Sequence, residues 1–137
     1  MSKSTYLADA ILDQILGATA WTSPGTVYLA LYSTAPTGYG TGGTEFDGTT
    51  EPGYARLAVT NNTTNFPASS GGSKTLGTNQ TFAANSGGTS WANAVAFGIF
   101  DASTGGNLLG YGSMTPLACA AGQSITIAAS TVIWTET

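Results

Sequence analysis

Histidine is absent from this chain, cysteine occurs once, and Lys and Arg together number three among 137 residues. Charged residues make up 7%, against about 25% in an ordinary soluble domain. Each shortage removes a class of function. Without histidine, the usual general base and the commonest metal-binding side chain are both missing. A single Cys119 permits no intrachain disulfide. Its neighbours Leu117, Ala118, Ala120 and Ala121 supply no cation or base to form a thiolate, so it reads as a small buried apolar residue. Lys3, Arg56 and Lys74 lie far apart in the sequence, which argues against nucleic acid and against an anionic membrane as partners.

The remaining polar residues make no catalytic pattern. Glu45, Asp47 and Glu51 are the tightest acidic group, but their spacing does not match a calcium loop, and they read as solvated loop charges. Gly38, Gly40, Gly42 and Gly43 lack the Lys-Ser/Thr that follows a phosphate-binding loop. Ser113 and Ser124 sit in no nucleophile-elbow motif. The expectation is a protein that is not an enzyme, with no catalytic, metal-binding or cofactor-binding residue and no cofactor. Lys3, the apolar stretch after it and Ala18-Thr19-Ala20 superficially resemble a secretion signal. Asp9 and Asp13 would fall inside its apolar segment, so no signal peptide is expected, and every other apolar run is too short for a bilayer.

What the chain does have is core material: 42% hydrophobic residues, including Trp21, Trp91, Trp134, Phe82, Phe97, Phe100 and Tyr28. Its length suits one domain, residues 1–137. Leu7, Ala8, Ile11, Leu12 and Ile15 recur at helical spacing, predicting one helix at about 5–17, opened by Ser4 or Thr5 and closed by Gly17. From Thr26 the period becomes two. TVYLALYS (26–33) reads as a central strand apolar on both faces, with further strands at 54–60, 80–83, 94–100, 108–113, 124–128 and 131–135. Asp101 opens a turn through Gly105-Gly106 that pairs the 94–100 and 108–113 runs as a hairpin.

Two stretches, 37–53 and 61–78, carry no core pattern and read as long Gly/Thr-rich loops or arms. The fold class implied is mainly β: a β-sandwich or jelly-roll-like single domain over about 26–135, with one N-terminal α-helix. Leu7, Ile11 and Ile15 on the helix, with Tyr39, Phe46 and Tyr54 around the first arm, are the candidate contact residues. The three aromatics either pin the arm to its own sheet or meet a partner, and stacking on sugars is a further option. A Thr/Ser/Asn/Gly surface carries little charge repulsion between copies, which suits a repetitive particle.

The segments Ile11 to Thr37 (ILDQILGATAWTSPGTVYLALYSTAPT), Gly53 to Thr60 (GYARLAVT), Asn79 to Ala84, Phe97 to Met114 (FGIFDASTGGNLLGYGSM) and Ala121 to Thr131 together resemble a family of small tailed-bacteriophage virion structural proteins. Members of that family are described variously as head decoration or tail-fibre proteins. The resemblance implies a protein made in the host cytoplasm and located in the virion. It implies a capsid decoration or cement protein on the outside of the head, bridging major capsid subunits, with the major capsid protein and copies of itself as partners. The alternatives are a tail or tail-fibre component used in host adsorption and, further off, a carbohydrate-binding module. No site residue carries over from the family.

Overall fold

The structure is a computed structural model in which residues 1–135 are described; the last two positions of the expected 1–137 domain lie outside the described residues. In chain order the elements are β1 (Ser2–Lys3), α1 (Thr5–Leu16), β2 (Thr26–Thr34), a 3₁₀ turn (Gly38–Gly40), β3 (Thr44–Glu45), β4 (Leu57–Thr60), β5 (Ser73–Thr75), β6 (Gln80–Thr81), β7 (Ala94–Phe100), β8 (Leu108–Leu117), β9 (Thr126–Ile127) and β10 (Ile133–Thr135). Among the described residues the protein is mainly β, every strand pair is antiparallel, and there is one α-helix, at the N-terminal end.

β2 is the hub. Its apolar, β-branched and aromatic residues leave no face for water, so it sits inside the main sheet, in the order β1-β8-β7-β2-β3 with β4 also on β2. Val27, Leu29 and Leu31 point to one face, where Phe97, Ile99 and Leu109 join them in the main core. Ala30 and Tyr32 point to the other face and pack with Ala96, Phe100 and the partly buried Leu108. The free edge of β2 is shared, its first half pairing with β4 (Thr26↔Thr60 to Leu29↔Leu57) and its end with β3 (Tyr32↔Glu45).

Two short ribbons, β5–β10 and β6–β9, take the place of a full second sheet. They and their flanks bring Leu76, Phe82, Ile125, Ile127 and Val132 into the same core as the first face of the main sheet. The β7–β8 hairpin forms as its turn residues require. Asp101 accepts from the Asn107 backbone N–H at 2.7 Å and from its side-chain amide at 2.8 Å. Gly106 has φ +70, and a Cβ there would lie 2.5 Å from Asp101 Oδ1, so only glycine fits.

The two arms differ from expectation. The 37–53 segment contains the 3₁₀ turn and β3, and the 61–78 segment contains β5. Local polar bonds organise both. Asp47 accepts from the Thr49 and Thr50 N–H groups, and Asn62 does the same for Thr64 and Asn65. Phe46 and Leu76 then anchor the segments in the core. The 54–60 strand shortens to Leu57–Thr60, because Tyr54 and Arg56 turn to partners outside the ladder. The 108–113 strand lengthens to Leu117.

Candidate docking surface

The region around the GYAR sequence is built for internal cohesion. Gly53 has φ +91, and a Cβ would meet Ala84 O at 2.5 Å, so the chain passes there only as glycine. That passage places Tyr54 under β2 at the point where β2 changes partners. Leu31 C=O accepts from Phe46 N–H at 2.9 Å, while Leu31 N–H donates to the Tyr54 hydroxyl at 3.1 Å. The hydroxyl stands in for a missing strand and donates onward to Glu45 at 3.3 Å. Tyr54 also packs among Phe46, Phe82 and Trp91, with Phe46 edge-on at 5.5 Å.

Arg56 completes this assembly. Its Nε and one terminal nitrogen grip both oxygens of Glu45 at 2.7 and 2.8 Å. Its other nitrogen donates to the Ala102 and Gly105 carbonyls of the β7–β8 turn. The guanidinium lies 3.4 Å from the Phe100 ring centroid. One side chain therefore ties β4's lead-in to β3 and to the hairpin, with its donors and its π-face both used. Burial, reinforced by the Glu45 charge and partly offset by Arg56, pushes the neighbouring Tyr32 phenol up to about 12. Burial raises the Tyr54 phenol further still.

These bonds correct part of the expected contact set. Phe46 and Tyr54 are 3% and 8% exposed, so neither has surface to offer a partner. Both pin the arm to its own sheet. Leu7 is 7% exposed and lies in the core, with Ile11 packed against it. Only Ile15, 70% exposed, and Tyr39, 75% exposed, stand clear. Leu12 and Leu16, at 55% and 83%, join them, although neither was among the candidate contact residues. The width of the apolar arc on α1 was the available signal. The body covers only the edge holding Leu7 and Ile11, which leaves the next edge bare.

Tyr39 is presented by a closed loop. Thr37 N–H donates to Thr41 C=O at 2.8 Å, and Gly40 N–H donates to Thr37 C=O at 3.0 Å. Tyr39 itself holds φ +65, a left-handed conformation that a non-glycine residue adopts at a cost. A hollow of about 310 Å³ lies between Tyr39, Ala8, Ser4 and Trp134, next to the exposed edge of α1. The acids of the first arm serve its architecture, Glu45 by holding Arg56, Asp47 and Glu51 by bonding within one turn. Cys119 is buried, and burial raises its thiol pKa. No buried side-chain nitrogen or oxygen among the described residues lacks a hydrogen-bond partner. The cleft between β8 and β9, about 390 Å³, has no ionisable residue in its lining. No helix among the described residues is long and apolar enough to cross a membrane.

Among the described residues, the large apolar side chains left exposed are Tyr6, Leu12, Ile15 and Leu16 on α1, with Tyr39 and Ile133. No curated protein matches the chain. A family model described as Podophage GP4 fiber I protein gp80 matches residues 2–135. The chain belongs to that family of phage virion structural proteins.

Proposed function

We propose that this chain is a non-enzymatic structural subunit of the phage particle, built into a fibre and attached through the exposed edge of α1 and Tyr39. The family match over residues 2–135 carries this reading, and its description as a fibre protein favours the fibre over the head. The exposed apolar side chains supply a means of attachment, since buried apolar area is the main source of protein association. Copies of the chain itself and other virion proteins are its partners.

The second reading is a decoration protein on the outside of the head that bridges major capsid subunits. It is favoured by a composition with only 7% charged residues, which lets copies crowd together. Many weak contacts multiplied over a lattice would then stabilise the shell. Counting copies in purified virions by quantitative mass spectrometry separates the two. A handful of copies, with impaired adsorption when the gene is deleted, supports the fibre. Hundreds of copies, with DNA leaking on mild heating of the deletion mutant, supports the head. Absence from mature particles sinks both.

A further inference from the structure

The exposed edge of α1 has a large end and a small end. Leu12, Ile15 and Leu16 project from its C-terminal half, while Ala8 borders the hollow beneath Tyr39 in its N-terminal half. Ala8 and Ile15 are two turns apart, about 10 Å along the axis, with Leu12 between them. The charged residues of the helix, Asp9 and Asp13, line the groove on its other side, facing Trp21.

We propose that this edge docks on the same edge of a second copy as an antiparallel helix pair, with the two-fold axis passing near Leu12. In that arrangement Ile15 and Leu16 of each copy enter the hollow beside Ala8 and Tyr39 of the other, so one surface supplies both knob and socket. Ala8 allows the close helix approach that such a contact needs. Electrostatics favours the same direction. The last turn of α1 has no basic residue and its first turn no acidic one, so neither end of the helix dipole is neutralised by its own side chains. Antiparallel pairing sets each partially negative C-terminus against the partner's partially positive N-terminus. A parallel pair would lose that match.

The seam comprises only a few side chains, far short of the roughly 800 Å² per partner of a standard stable interface. The pair is therefore weak in dilute solution and forms where copies are held close together. The proposal rests on self-association within the structural role above, and its test can fail separately from that role.

Cysteine crosslinking of the full chain is a clean assay because the one native thiol, Cys119, is buried. Under mild oxidation at high protein concentration, Leu12→Cys is expected to give a disulfide-linked dimer, because its two copies meet across the axis. Asp13→Cys, exposed on the other side, is expected to stay monomeric. Adding Ile15→Asp to Leu12→Cys is expected to cut the dimer yield at least tenfold. These positions are exposed, and an unchanged circular dichroism spectrum checks that each variant folds. A monomeric Leu12→Cys protein overturns the pairing. So does Ala8→Cys crosslinking as well as Leu12→Cys, because only parallel helices bring two Ala8 residues together. If Leu12→Cys stays monomeric while the chain is present in virions, the pairing fails and the structural role stands. If it crosslinks as expected but the chain is missing from virions, the reverse holds.

Discussion

Arg56 shows how a chain with three basic residues uses one of them. Its guanidinium holds a carboxylate, two carbonyls and an aromatic face. Replacing it leaves Glu45 unpaired in a partly buried site. Arg56→Met is expected to lower unfolding stability by about 3 kcal/mol, read from urea melts, and Arg56→Lys to recover only part of that because a lysine cannot make the bidentate grip. Tyr54→Phe removes the hydroxyl that satisfies Leu31 N–H and should cost about 1–3 kcal/mol. Tyr32 and Tyr54 also predict an alkaline limb. Unfolded phenols release their protons near pH 10, while these two retain theirs. The unfolded state thus binds fewer protons above pH 10, so their contribution is intact below that value and is lost as the pH climbs towards 12. Phenolate absorbance should show both groups titrating only together with unfolding; free titration in the folded protein would refute the burial of these phenols.

At the scale of elements, α1 begins and ends as its sequence dictates. Ser4 Oγ accepts from Leu7 N–H at 3.2 Å, and Gly17 N–H closes on Asp13 C=O at 2.8 Å. The left-handed residue that follows is Ala18, at φ +54, rather than a glycine. Ala18→Gly is therefore expected to stabilise the protein by about 0.5–1 kcal/mol, the relieved left-handed strain outweighing the added freedom of the unfolded chain; a lower thermal midpoint would contradict this. Periodicity made α1, β2 and the β7–β8 hairpin legible, because each buries a patterned face or has a turn with demanding chemistry. It was blind to the arms, since Phe46 and Leu76 are lone anchors in polar stretches and a single apolar residue has no period. It was also blind to the roles of Tyr54 and Arg56. Their partners, Leu31 and the hairpin turn, are brought near only by the completed sheet.

For the whole molecule, one core joins the main sheet to both ribbons, with Leu29, Phe82, Trp91 and Val132 in a single cluster. Neither layer can keep its apolar face dry alone. Unfolding is expected to be one cooperative transition, with tryptophan fluorescence and backbone circular dichroism giving the same midpoint. Separate midpoints would show that the ribbons melt on their own. The candidate surface was only half legible for the same global reason. The sequence displays a broad apolar arc on α1, but only the assembled body decides which edge of that arc it covers.

The place of β2 at the centre of the sheet carries a kinetic consequence. Its ladder partner β7 lies about half the chain length away, Tyr28 opposite Phe100, whereas β7 and β8 are joined by a short turn. On the ribosome, TVYLALYS must emerge and wait, apolar on both sides, until the distant hairpin has been translated. Newly made chains are most prone to aggregate during that interval, so slower elongation between residues 34 and 94 should lower the soluble yield while leaving the finished fold unchanged.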